Sequence, residues 1–311
     1  MAKSPRPWYG RDFGLSFRMG LTMFLLFALY AAFVVVLWAV KVGWPFLITI
    51  MVLVAIMQLL LSDKIVLWTS GARTISPEQA PELHQIISRL AQLADLPTPK
   101  LAWINTRIPN AFAIGKHPKN SFIAVTQGLV ERLDATELEA VLAHELTHIK
   151  NRDVSVMSLA SFFAMVASFI VQQFFFLGFA MGGEGGGGGR RGGRNGGGGQ
   201  AVIIIWLASL IVWAVSYVLI RTLSRYREYA ADRGSAILTG HPGYLASALE
   251  KIQSGMRTVP TRDLRQVESM NAFFIFPAVR KNSMMEMFAT HPTLEHRLRR
   301  LELLQQKMER K

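Results

Sequence analysis

Apolar positions along this chain fall into two patterns. Four long runs, residues 19–40, 42–62, 154–183 and 195–220, contain no Asp, Glu, Lys or Arg. A helix needs about 20 mostly apolar residues to cross a bilayer core, and each run reaches that length. Buried helices of soluble proteins are usually shorter and amphipathic. The runs therefore predict about four transmembrane helices.

Between and after the runs, apolar residues recur at shorter periods. Residues 77–95 predict a helix, with Ser76 as its cap, Pro77 in its first turn, and Glu78 and Glu82 where the helix dipole favours acids. Leu83, Ile86, Ile87, Leu90 and Leu93 form its apolar stripe. Strands are expected at Leu101–Ile104, Ala111–Ile114 and Ser121–Thr126. The turn-rich Gly115–Asn120 makes a hairpin of the last two. Asp134-Ala135-Thr136-Glu137 then opens a second helix with the signature of a capping box, running through Leu138, Val141, Leu142, Glu145 and His148.

These patterns divide the chain into four parts. Residues 1–64 hold a basic tail and two spans, and 65–153 a water-facing region with a small sheet and a helix bearing two histidines. Residues 154–220 hold two further spans joined by the glycine-rich loop 182–199, and 221–311 a C-terminal helical region. The first run exceeds the usual signal-peptide core and leads at Lys41 into a second, so a retained anchor is expected rather than a cleaved leader.

Composition adds two constraints. There is no cysteine among the 311 residues, so neither disulfides nor thiolate ligands contribute. The net charge of +13 is unevenly spread: +3 in the N-terminal tail and +7 in residues 221–311, while ten bases balance ten acids over residues 62–153. Basic residues beside spans mark the cytoplasmic side. That orients the tail, 62–153 and 221–311 toward the cytosol, with the lipid bilayer as partner and no nucleic acid expected. Arg190, Arg191 and Arg194 in the glycine-rich loop conflict with this rule if the loop is on the opposite side. A hairpin over 154–220 that does not cross would place it in the cytosol instead. Such a loop reads as flexible linker rather than as an RNA-binding arm.

The chemistry concentrates at Ala143-His144-Glu145-Leu146-Thr147-His148. Histidines four apart on a helix project from one face and reach one ion at about 2.0–2.1 Å, the zinc–nitrogen distance. The intervening glutamate stands where it can take a proton from water. A catalytic zinc usually takes a third protein ligand. Glu228 and Asp232, also four apart, are candidates: Glu228 to complete the set, Asp232 to accept a hydrogen bond from a ligand imidazole. The bland alternative is ion pairing of these two acids with Arg225 or Arg233. His148 lies six residues before the third run, about 9 Å of helix, and Glu228 eight residues after the fourth, about 12 Å. An antiparallel hairpin would bring both to similar height.

Taken in order, "NAFA" at 110–113, "AVLAHELTHIKNRD" at 140–153, "EYAAD" at 228–232 and "FATHPTLEHRLRRL" at 288–301 resemble the HtpX family of membrane zinc metalloproteases, related to the CAAX prenyl proteases. The resemblance implies an α+β zincin-like (gluzincin) metalloprotease domain. It implies one Zn2+ per chain held by His144, His148 and Glu228, with Glu145 as catalytic base. It further implies that Asn110, His291 and Arg297 face the substrate, the last two as donors to an oxyanion; on residue chemistry alone His291 reads as a helix cap and Arg297 as a solvated face. The strand at 110–114 is implied to pair with an extended substrate backbone. The implied role is quality control under stress, cleaving misfolded membrane proteins or unfolded polypeptides at the cytosolic face of the bacterial inner membrane.

Two alternatives stand beside it. One is a CAAX-type protease, less favoured because four spans offer little to enclose a lipidated substrate. The other is a transport or scaffold protein with a structural metal, whose fourth ligand would come from His84, His117, His241 or His296. Transport is disfavoured because the four runs hold no ionisable acid or base.

Overall fold

The computed structural model describes residues 12–41, 45, 48, 49, 51–56, 67, 68, 70–182, 196–258 and 292–310. The chain forms two units. One comprises residues 1–19, 62–157 and 221–311, and the other 20–61 and 158–220.

The first unit holds the sheet. Its strands are β1 (Arg73–Thr74), β2 (Lys100–Ile104), β3 (Ala111–Ile114) and β4 (Phe122–Thr126), in the order β1-β2-β4-β3. β2 runs parallel to β4, while β1–β2 and β3–β4 are antiparallel. The expected hairpin is present, with Ala111 opposite Val125 and Ile114 opposite Phe122. Gly115, at φ +119°, starts its turn, a conformation that L side chains rarely adopt. β3 is an outer strand of this sheet.

One sheet face and six helices share a core. Leu101, Ile123 and Val125 meet α2 (Pro81–Ala94) and α4 (Ala135–Lys150), with α3 (Gln127–Val130) between sheet and α4. The last part of α6 (Gly196–Thr239), α7 (Pro242–Thr258) and α8 (Leu294–Glu309) close it through Ala236, Leu245, Leu249, Ile252 and Leu301. The other face of the sheet buries a smaller group around Ile104, Phe112 and Ile114.

α2 starts at Pro81, not at 77, and its N-cap Ala80 makes no side-chain bond. The reason is Pro81 itself: without an N–H it cannot sit in the second turn of a helix begun at Pro77, but it suits a first turn. The buried stripe is Leu83, Ile87, Leu90, Ala91 and Ala94, and Leu93 is 55% exposed. α4 starts as its sequence demands. Asp134 Oδ1 accepts from the Thr136 and Glu137 backbones at 3.0 Å, and Glu137 Oε2 accepts from the Asp134 N–H at 3.0 Å. Glu137 also takes bonds from Ser247 Oγ and Lys251 Nζ, tying the start of α4 to α7.

The second unit draws on α1 (Phe13–Ala39), α5 (Asp153–Gly182) and the first part of α6. Leu26, Phe33, Val166, Ala167 and Val212 are buried, and Tyr30 donates its hydroxyl to the Ala160 carbonyl at 2.7 Å. Phe24, Phe27, Trp38, Leu159 and Ile211 are exposed. A surface this apolar suits lipid rather than water. Among the described residues, three helices are long and apolar enough to cross a membrane: Phe13–Ala39, Asp153–Gln172 and Ile203–Thr239. Most of the run 42–62 lies outside the described residues, with helix at 51–56.

Candidate metal centre

α4 delivers His144 and His148 one turn apart on its inner side. Their Nε2 atoms face each other at 3.1 Å, with ring planes at 87°. Glu228, on α6, fills the third corner. Its Oε2 is 3.6 Å from His144 Nε2 and its Oε1 3.5 Å from His148 Nε2. One donor atom from each of the three lies within 4.8 Å of the others. The approach of α6 to α4 depends on small residues. A Cβ at Gly234 would run into the Thr147 side chain, and Ser235 Oγ donates to the Ala140 carbonyl at 2.6 Å.

Each imidazole presents its other nitrogen to a buried carboxylate. His148 Nδ1 lies 2.6 Å from Asp153 Oδ2, and His144 Nδ1 lies 3.1 Å from Asp232 Oδ1, the latter off the direction of the ring N–H. Each carboxylate has its own arginine. Asp153 Oδ1 is 2.9 Å from Arg227 Nε. Asp232 accepts two bonds from Arg297, from Nε at 2.9 Å and from Nη2 at 2.6 Å. Arg297 Nη1 lies 3.6 Å from Glu228 Oε2.

Three observations show that these residues fit a divalent cation. With a proton on each Nδ1, the two Nε2 lone pairs converge 3.1 Å apart, where one cation can be bound by both. Ligands at about 2.0–2.1 Å from one tetrahedral ion are about 3.3 Å apart, close to the observed 3.1, 3.5 and 3.6 Å. Charge agrees as well. Among the described residues, Glu145, Asp153, Glu228 and Asp232 are buried together around the histidines, with Arg227 and Arg297 beside them. Gathering four carboxylates away from water is costly unless cations join them, and a divalent ion is such a cation. The same field acts on His144. Burial disfavours its imidazolium, but Asp232 and Glu228 outweigh that and raise its pKa to about 9.

Glu145, the residue between the histidines, is buried. Burial raises its pKa above the usual carboxylate range, against the opposing pull of His144 and His148. Asn110 is buried at the start of β3. Its N–H donates to Thr126 Oγ1 at 2.9 Å and its carbonyl accepts from the Thr126 N–H at 3.0 Å. That fixes the register of the outer strand. With 110–126 a bonded pair, antiparallel alternation turns the backbone groups of Ala111 and Ala113 away from β4.

Arg297 is not on the solvated face that its residue chemistry alone suggests: it is fully buried, and two of its nitrogens are taken by Asp232. Likewise, Asp232 pairs with this distant arginine rather than only with neighbours on its own helix. His291 lies outside the described residues. None of the histidines considered as a fourth ligand belongs to the metal-capable group among the described residues. His84 bonds the Ile75 carbonyl and His296 bonds Thr293 Oγ1.

Asp153 and Arg227 were not singled out from the sequence. The available signal was an acid five residues after a candidate ligand, where α4 ends. Arg152 adopts φ +54°, and this left-handed residue reverses the backbone so that Asp153, opening α5, points back at His148.

Comparisons with known proteins agree with this geometry. The family model described as Peptidase family M48 matches residues 77–305. The chain is 57% identical over 300 residues to "Protease HtpX homolog" of Moorella thermoacetica, covering 96% of this chain and 97% of that protein. It is 49% identical over 303 residues to "Protease HtpX homolog 2" of Methanosarcina mazei, covering 97% and 99%. Among solved structures, S. mikatae Ste24p has a similar fold, with a TM-score of 0.54 at 18% identity over 91% of this chain. This chain spans 62% of that structure.

Proposed function

The chain belongs to peptidase family M48, as a membrane metalloprotease of the HtpX type, and from that premise we propose that it uses zinc at His144, His148 and Glu228 to cut misfolded or damaged membrane proteins at the cytosolic face of a bacterial inner membrane. The observation that carries the site assignment is the convergence of these three donors, with Glu145 on the same helix turn.

A zinc ion held there supplies a Lewis acid for the scissile carbonyl and acidifies water. The remaining work falls to side chains. Glu145 takes the proton of the attacking water and delivers it to the leaving amine, acting first as base and then as acid. Its raised pKa suits that exchange better than an ordinary carboxylate would. Asp153 and Asp232 keep protons on the Nδ1 atoms, so that both Nε2 lone pairs stay available. Arg297 acts through Asp232 and Glu228, holding both carboxylates, in place of a direct reach to the oxyanion. The outward backbone of β3 offers an edge to which an extended polypeptide adds as a further strand. Recognition through backbone bonds reads little side-chain identity, which suits substrates defined by being unfolded.

The cytosolic orientation rests on the basic tail and the basic C-terminal segment. α6 runs from the apolar stretch through Glu228 without a break.

The test is cleavage of an unfolded soluble protein and of a membrane-protein substrate by the purified full chain, with metal content measured in parallel. Glu145→Gln is expected to keep stoichiometric zinc and lose at least a thousandfold in rate, and a chelator to abolish wild-type cleavage. Wild-type rates from Glu145→Gln would sink the mechanism.

A further inference from the structure

A cavity of about 440 Å³ lies in the sheet-bearing unit, and none of the three candidate metal ligands lines it. That volume is within the range of small-molecule sites, about 300–1,000 Å³. Two helices line it with matching stripes. α6 contributes Thr222, Arg225, Tyr226 and Tyr229, and α8 contributes His296, Arg299, Arg300 and Leu303. Both sets follow the spacing i, i+3, i+4, i+7 of a single helix face. Arg18 of α1 completes the lining.

The wall is cationic. Among the described residues it carries four arginines and no acidic side chain. Asp12 stands near it, with Oδ2 3.6 Å from Arg300 Nη2. Arg300 also lies over the Tyr229 ring, its guanidinium carbon 4.3 Å from the centroid. Such stacking holds the planar fork in place. A cavity of this sign rejects metal ions and suits an anion with several acceptor oxygens, for which arginine forks and the hydroxyls of Thr222, Tyr226 and Tyr229 are fitting donors.

Position along the chain identifies the source of that anion. Arg18 immediately precedes the charge-free run that begins at Met19, and Thr222 is two residues past the run that ends at Ile220. Residues flanking spans lie at headgroup depth, where cytoplasmic Lys and Arg meet anionic lipid. We propose that this cavity binds the phosphodiester headgroup of an anionic phospholipid. It shares no lining residue with the three candidate metal ligands, so its test does not depend on the zinc assignment.

The experiment uses the full chain purified in detergent with an equal mixture of phosphatidylglycerol and phosphatidylcholine, the retained lipid being counted by native mass spectrometry. Wild-type protein is expected to retain phosphatidylglycerol at least fivefold over phosphatidylcholine. R225Q/R300Q is expected to lose that preference. K119Q/K307Q, which removes the same charge at exposed positions outside the cavity, is expected to keep it. Should R225Q/R300Q not fold, R299Q at an exposed position serves instead, with an expected two- to threefold loss. Equal retention of the two lipids by wild type, or an unchanged preference in the cavity variant that folds, overturns the proposal. Thermal stabilisation by inorganic phosphate without any lipid preference overturns it too, in favour of a free phosphate ligand.

Discussion

His144 and His148 are each backed by a carboxylate and an arginine, but the two supports are assembled over very different distances. The support of His148 begins locally: Asp153 follows five residues later, aimed by the left-handed Arg152, and only Arg227 comes from afar. Both join three helices, but that of His144 has no local member, with Asp232 from α6 gripped by Arg297 from α8. Exposure differs too. The His148 side chain is 13% exposed, that of His144 3%, and Arg297 is wholly enclosed. The local support stores strain in its backbone and has access to water. The long-range one depends on tertiary packing and has no solvent to fall back on.

The largest effect is expected where that difference is greatest. Arg297→Met leaves Asp232 and Glu228 buried without their cation. Stripping one partner from a buried pair costs about 3–5 kcal/mol, so thermal unfolding of the variant should drop sharply and zinc be lost on purification. Near-normal stability would mean that Arg297 is not what holds these acids. The next comparison is between the carboxylates. Removing a carboxylate behind a ligand histidine typically lowers metal affinity about 10–100-fold. Asp232→Asn is expected at the upper end and Asp153→Asn at the lower, because water can reach the half-open His148 and replace the lost acceptor. Competition against a fluorescent zinc chelator reads both, and a reversed order would break the contrast. The smallest effect concerns the turn. Arg152→Gly removes a left-handed conformation costing about 1–2 kcal/mol, partly offset by the greater freedom of unfolded glycine. A stability gain of about 0.5 kcal/mol is expected, with unchanged zinc affinity. A clear loss would show that the Arg152 side chain contributes more than its backbone costs.

The same division governs what could be read in advance. The capping box at Asp134–Glu137, the strand at Ala111–Ile114 and the paired histidines of α4 are all visible because each depends on residues within about one turn of one another. The start of α2 was misplaced at Pro77 although a local signal, Pro81, was present. For Arg297, residue chemistry alone offers a solvated face and the resemblance an oxyanion donor, because nothing near it in sequence hints at burial. Its partner lies 65 residues away on another helix. The role of Asp153 is not legible in sequence, because it follows from one backbone reversal at Arg152 that an arginine does not advertise.

By itself, the sequence determined the apolar helices, the helix that carries two imidazoles on one face, and the pool of acids available to join them. Those follow from periodicity and local hydrogen bonding, which act over a few residues. Only the tertiary structure decided which acids close on the histidines, which arginines stand behind them and how much negative charge is left to be balanced. Those depend on Gly234 letting α6 approach α4 and on α8 closing over both carboxylates, and electrostatic energies acquire their size only once packing has removed the water.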